Sequence, residues 1–452
     1  MQKGICFFCR KGSAFLQKEI CFFAECKYVK LKNKDLRVPP CFWDPCFRQK
    51  NEGNLMNDYI ANMFTAEELK EIREQFYYVD RDIDGTPRLF FDNAGGSLRL
   101  KKAEDEFHRI SAIPDASEHS NRLALKLAEL EEHGRKDIKE VIFNAHSGTI
   151  YPSFTASQIV MEVIRVMTDN AKGTNVVTSM LEHPSAYDAC SYYAEKHGME
   201  LRVAGVNQET GGVDADEILS LVDKDTAVLC CMAASNISGY IYETERICKE
   251  ARKINPDIYI FIDAVQHAPH AALSPEEWGA DAMSFAPYKF FGVRGFGVAW
   301  LSDRISTFDH HRLLGKARDD WEIGSPATAQ YAAVMEIVNY VVSLGQWSLG
   351  QEASARRTFF EAGMKRIADH ERGLLHMMLE GVNGRPGMRH IKGVKVDMDG
   401  RDLYTRDLIL GVEFENIDCI RAVEEYEKRG VITFERSAGS MYSKRMVEPG
   451  FP

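Results

Sequence analysis

The chain has 452 residues, 45% hydrophobic and 27% charged, with a net charge of −11. That length exceeds one ordinary domain and supplies apolar material for a large buried core. The acidic balance and the lack of a Lys/Arg-rich face argue against nucleic acid or an anionic membrane as partner. No apolar run reaches the ~18–20 residues that a bilayer span needs, so a cytoplasmic protein is expected.

Six of the eleven cysteines lie in the first 46 residues: Cys6, Cys9, Cys21, Cys26, Cys41 and Cys46. Their spacing fits no zinc pattern, and the apolar stretches between them are too short for a signal peptide. No metal site is expected, and residues 1–55 read as a Cys-rich extension outside the core fold. From Met56 the chain becomes ordinary. Thr65 and Glu68 make a capping box for a helix over the following residues.

Short apolar segments then alternate with amphipathic ones. VIFNA (141–145) is read as a strand, followed by a helix from about 153 to 168. NVVTSM (175–180), LRVAGV (201–206) and TAVLCCMAA (226–234) are the next strands, each followed by a helical stretch. YIFIDAV (259–265), DAMSFA (281–286) and GVAWLS (297–302) complete the series. The alternation predicts a mainly parallel sheet covered by helices, an α/β fold. Beyond about residue 310, longer helices and the strands GVKVDMD and LILGVEFE predict a smaller α+β domain. The expected division is 1–55, 56–310 and 311–452.

In open α/β sheets, ligands bind outside the carboxyl ends of the strands. HSGT (146–149) reads as a strand-to-helix turn where Ser147, Gly148 and Thr149 could take a phosphate. His183 ends the second strand, and Asn236 follows the fourth. Asp263 closes a strongly apolar strand, where a buried carboxylate needs a cationic or donor partner. Lys289 stands in the aromatic run SFAPYKFFGVRGFG (284–297). An amine, a buried aspartate, a ring-stacking histidine and a phosphate turn together suit pyridoxal 5′-phosphate.

These segments resemble the class V branch of fold-type I pyridoxal-phosphate enzymes, over roughly residues 85 to 447. FFDNAGGS (90–97) resembles the entry motif, EH (182–183) the ring-stacking histidine and NISG (236–239) the cofactor-facing asparagine. IDAVQ (262–266) resembles the aspartate segment, and SFAPYKFFGVRGFG the Schiff-base lysine. The resemblance implies a seven-stranded sheet in a three-layer, cofactor-binding large domain, plus the smaller C-terminal domain. It assigns catalysis to Lys289, His183 and Asp263. Cofactor contacts fall to Ser147, Gly148, Thr149, Asn236, Gln266 and, through a homodimer partner, Ser325 in GSPAT (324–328). It places Asn93 and Arg436 at the substrate, a small amino acid.

Three features depart from that pattern. Ala286 and Tyr288 replace a serine and a histidine common before the lysine. TFERSAGSMYSKRM (433–446) keeps Arg436 but has Met441 near where cysteine desulfurases have a mobile cysteine. The chain stops at VEPGFP, so a truncated small domain is expected. The expected activity is transamination or Cα/Cβ lyase chemistry on an amino acid. Cysteine desulfurase or selenocysteine lyase-like activity, or an inactive fragment keeping the fold, are the alternatives.

Overall fold

The computed structural model describes residues 8–9, 58–116, 120–207, 209–350, 355–397, 399–400 and 402–436. Contacts divide the chain into two units. One comprises residues 99–236 and 240–368, the other 1–98, 237–239 and 369–452. The expected boundary at 310/311 falls inside the larger unit. There the helix Thr328–Leu349 buries Tyr331, Val334, Ile337, Val338 and Val341 and packs on helices earlier in the same unit.

In the larger unit the helices α1 (Lys101–Ser111) and α2 (Arg122–Lys136) precede β1 (Thr149–Ser153) and α3 (Ala156–Asn170). Next come β2 (Asn175–Ser179), α4 (Pro184–Lys196), β3 (Glu200–Ala204) and α5 (Ala215–Ser220). Then follow β4 (Thr226–Met232), α6 (Thr244–Ile254), β5 (Tyr259–Asp263), α7 (Pro275–Trp278) and β6 (Ala282–Phe285). The unit continues through β7 (Gly297–Leu301) and α8, the helix Thr328–Leu349. The sheet has seven strands in the order β1-β7-β6-β5-β4-β2-β3. β2 to β6 run parallel, while β7 is antiparallel to both β6 and β1. Six strands therefore end at one edge, where β7 begins. The sheet is covered because its strands are apolar on both faces, as β4 and β7 are throughout. Against it α3 buries Ile159, Val163, Ile164 and Met167, which share one hydrophobic cluster with Val176, Val228 and Phe261 of the sheet. Burying each such aliphatic side chain stabilises the fold by ~1.5–3 kcal/mol.

One expected strand is corrected. VIFNA is the end of a helix: α2 continues as a π-helical turn over Asp137–Ile142. Ile138, Val141, Ile142 and Phe143 are all buried, at the spacing of a helix face rather than a strand. The first strand is instead Thr149–Ser153.

In the smaller unit, Thr65 caps the helix Ala66–Glu74 through a capping box with Glu68, as expected. Val394–Asp397 pairs antiparallel with Gly411–Phe414, and Phe8–Cys9 adds to the latter in parallel. Leu89–Phe90 pairs in parallel with Val431–Ile432. The rest of the Cys-rich extension and Met441 lie outside the described residues. No described helix is long and apolar enough to cross a membrane.

Candidate active site

Lys289 sits in a one-turn 3-10 helix, Pro287–Lys289, just beyond the carboxyl end of β6. Its Nζ donates to Gln266 Oε1 at 3.0 Å. Gln266 follows β5, whose last residue is Asp263. Asp263 is 6% exposed, and its Oδ1 accepts the Val265 N–H at 3.0 Å. Among the described residues no lysine, arginine or histidine is recorded in an ion pair with this carboxylate. A buried carboxylate at a ligand-binding edge suits a cationic ligand group.

His183 is the N-cap of α4 at the end of β2. Its Nδ1 accepts the Ser185 N–H at 3.2 Å and lies 2.7 Å from Ser185 Oγ. With Nδ1 accepting, the network places the ring proton on Nε2. The preceding Glu182 is fully buried. Its Oε1 accepts from Ser179 Oγ at 2.5 Å and from the Met232 N–H at 3.2 Å. Glu182 thereby clips the end of β2 to the end of β4, and Met232 is the register partner of Asp263. One buried carboxyl group links the backbone that presents His183 to the strand beside Asp263. Asn236 is half-buried beyond β4, in a turn that the Ser235 N–H closes on the Tyr240 carbonyl at 2.8 Å.

The expected phosphate turn is corrected. Thr149 opens β1, opposite Leu301 at the far end of β7, so Ser147, Gly148 and Thr149 lie at the edge away from Asp263 and Lys289. Carboxylates surround them: Ser147 Oγ donates to Glu276, and the Gly148 N–H donates to Asp303 Oδ1 at 3.1 Å. Two acidic groups disfavour an anion there. At the edge where Asp263 and Lys289 lie, the strand-to-helix turn is Ser153–Phe154–Thr155, running into α3. Thr155 caps that helix, its Oγ1 accepting the Gln158 N–H at 3.1 Å. The helix presents its positive end at this edge. The sequence carried a signal for it: Thr155-Ala-Ser-Gln158 is a capping-box pattern.

Tyr288 and Arg294 flank the lysine. The Arg294 guanidinium lies 4.1 Å from the centre of the Tyr288 ring. Burial holds the Tyr288 phenol above its ordinary pKa, opposed by Arg294 and Arg99 and reinforced by Asp263. Tyr288 is therefore a neutral hydrogen-bond donor at physiological pH. Ser325 is exposed, next to Gly324.

In the smaller unit, Asn93 Nδ2 donates to the Phe90 carbonyl at 3.2 Å. Arg436 is buried. Asn93 and Arg436 each follow one of the paired strands Leu89–Phe90 and Val431–Ile432, which sets them at the same end of that ladder.

The larger unit has the fold of type I pyridoxal-phosphate enzymes, with its lysine, aspartate and histidine at the strand ends. The family model for class-V aminotransferases matches residues 89–401. The chain belongs to that family, and is a pyridoxal-phosphate-dependent enzyme of the transferase or lyase type. A cysteine desulfurase of Dictyoglomus turgidum is 33% identical over 151 residues, covering 33% of this chain and 37% of that protein. A probable cysteine desulfurase of Borreliella burgdorferi is 24% identical over 339 residues, covering 69% and 78% of the two chains. The apo structure of a cysteine desulfurase from Thermococcus onnurineus superposes with a TM-score of 0.66 at 17% identity. That alignment covers 80% of this chain and 86% of the other. At that identity the likeness shows the fold.

Proposed function

We propose that the chain binds pyridoxal 5′-phosphate through Lys289 and acts on a small amino acid, by transamination or by lyase chemistry at Cα or Cβ. The observation carrying this reading is the buried Asp263 carboxylate on the same sheet edge as the Lys289 amine. The donor set fits the cofactor: an amine for the aldehyde, a carboxylate for the ring nitrogen, an imidazole for the ring face. The capped N-terminus of α3 suits the phosphate. Bound there, the cofactor supplies an electron sink for bond cleavage at the substrate Cα.

The chain's own groups divide the remaining work. Asp263 keeps a proton on the ring nitrogen, because its buried charge favours the cationic form. Lys289 carries the proton to and from Cα, with Gln266 fixing its amine between transfers. His183, held by Ser185, orients the ring. Within the smaller unit, Arg436 and Asn93 are the residues we assign to substrate binding, the guanidinium being a planar match for a carboxylate. Asn236 borders the cofactor, and Ser325 reaches the phosphate of a homodimer partner. The setting is cytoplasmic.

Cysteine desulfurase-like activity is the second reading, favoured by the names of the relatives. It requires a thiolate to accept sulfur. Cys190, Cys230, Cys231, Cys248 and Cys419 are all buried, and burial raises the thiols of Cys231, Cys248 and Cys419. The segment 433–446 contains no cysteine. The family and the desulfurase relatives support this reading, and a sulfur acceptor is the part of it that these five buried thiols do not supply. The test of the first reading is turnover of loaded protein against a panel of L-amino acids, each with and without a 2-oxo acid as amino acceptor. It is followed by formation of the new oxo acid and, for lyase chemistry, by release of the cleaved fragment or ammonia. Turnover of at least one amino acid supports the reading. A fully loaded protein that turns over none overturns it.

A further inference from the structure

We infer that Arg99 is a positioning residue for the Lys289 amine, acting through the backbone of the turn that carries the lysine. The inference rests on Lys289 being the cofactor-bearing residue. Arg99 Nη1 donates to the Tyr288 carbonyl at 2.6 Å and to the Gly292 carbonyl at 2.8 Å. These acceptors stand on either side of Lys289 in the chain. The next residue, Leu100, donates its N–H to the Phe291 carbonyl at 2.9 Å. Two consecutive residues thus make three hydrogen bonds to the five-residue segment 288–292.

That segment needs holding. Phe291 has a φ of 64°, a left-handed conformation that is strained for a bulky residue and persists only where the surroundings over-determine it. The Phe291 ring packs edge-on against Tyr340 of α8, centroids 5.7 Å apart. Gly292 lets the turn pack closely: a Cβ there would stand 2.5 Å from Ile337 Cδ1 and 3.1 Å from the Pro287 carbonyl oxygen. The chain's own turn bonds, Lys289 N–H to Ala286 at 3.0 Å and Gly292 N–H to Pro287 at 2.9 Å, close it from within. Arg99 closes it from outside, from the residue pair that opens α1. Without the guanidinium, the Tyr288 and Gly292 carbonyls each lose a charged donor and Phe291 is freer to relax. Lys289 lies between them.

Both bonds leave Nη1, whose two N–H groups are fixed in the guanidinium plane at the end of a longer side chain, whereas a lysine ammonium sits one bond shorter and directs its donors tetrahedrally. Arg99→Ala and Arg99→Lys, each loaded with pyridoxal phosphate, test the role against the loaded wild type. Four quantities are read: thermal stability, visible circular dichroism of the bound cofactor, kcat and KM. Both variants should hold cofactor at Lys289 with weakened visible dichroism. Their kcat should fall roughly 10–100-fold, the scale set by ångström misplacement of a reacting group, with KM within about twofold of wild type. Millimolar guanidinium should restore part of the kcat and dichroism of Arg99→Ala and leave the wild type unchanged. Should Arg99→Ala fail to fold, Arg99→Lys carries the dichroism and kcat test alone. Wild-type dichroism and kcat in a loaded variant would overturn the role, as would a loss of kcat explained wholly by lower stability. Wild-type protein that takes no cofactor at Lys289 would sink the functional reading and, with it, the positioning role.

Discussion

Gly297 and Ala156 meet backbone to backbone: a Cβ on Gly297 would stand 2.4 Å from the Ala156 nitrogen and 2.5 Å from the Thr155 carbonyl carbon. The first residue of β7 therefore makes room for the capped start of α3. Replacing Gly297 with valine should push that helix end away from the sheet edge. We expect a loss of ~1–3 kcal/mol of stability from overpacking. Pyridoxal-phosphate affinity should fall roughly tenfold, equivalent to ~1.4 kcal/mol. Fluorescence titration of the cofactor checks this, and unchanged affinity would remove the helix from the phosphate site.

Asp263→Asn keeps the shape of the site and removes its charge. Cofactor should still attach to Lys289, while kcat falls about 10²-fold or more, the range for losing one preorganised electrostatic partner. Steady-state kinetics on cofactor-saturated protein reads this directly. Wild-type turnover would show that the carboxylate does not support the ring nitrogen.

Asp281 offers a contrast at the opposite edge of the sheet. It is fully buried, 2.5 Å from Arg252 and 2.9 Å from Arg304, and accepts the Ile260 N–H at 2.9 Å. Burial raises its pKa, and Arg252 opposes that shift. Asp281→Ala orphans the buried Ile260 N–H and leaves Arg252 and Arg304 only their backbone carbonyl acceptors, which should cost ~1–3 kcal/mol. Urea denaturation measures the loss. Specific activity per folded molecule should stay near wild type, because Asp281 precedes β6 rather than following it.

Alkaline pH should weaken the fold. Burial pushes the Tyr151 phenol up to about 12 and the Cys248 thiol up to about 12; Tyr242 is also raised by burial. Each group ionises more readily when unfolded than when folded. Their contribution is intact below the unfolded values, near 9 for the thiol and 10 for the phenols, and is lost as pH rises toward 12. Denaturant midpoints should be flat from pH 7 to about 8.5 and fall above that. A flat profile to pH 11 would contradict the burial of these groups.

Incubation with cysteine should leave no persulfide on Cys190, Cys230, Cys231, Cys248 or Cys419, because all five are buried. Alkylation under native conditions followed by peptide mass spectrometry reads the result. A persulfide on any of them would identify the sulfur acceptor that the desulfurase-like reading requires.

Asp263 and Lys289 were legible because each is a charged residue inside an otherwise apolar run, and burial of a charge demands a reason. The parallel sheet was legible from apolar segments such as TAVLCCMAA at regular spacing. VIFNA misled because a short apolar run looks alike in a strand and in a buried helix end. The same reading put the expected phosphate turn at Ser147, at the edge away from Asp263 and Lys289, rather than at Thr155, where we propose it. Arg99 was invisible for a different reason: its acceptors lie 189 and 193 residues away, and backbone carbonyls leave no mark in a sequence.

The most direct test of the central claim is borohydride reduction of protein equilibrated with pyridoxal phosphate, followed by peptide mass mapping. The account predicts a visible absorbance that bleaches on reduction and a pyridoxyl group on Lys289 alone. Colourless protein, or label on another lysine in place of Lys289, would contradict it.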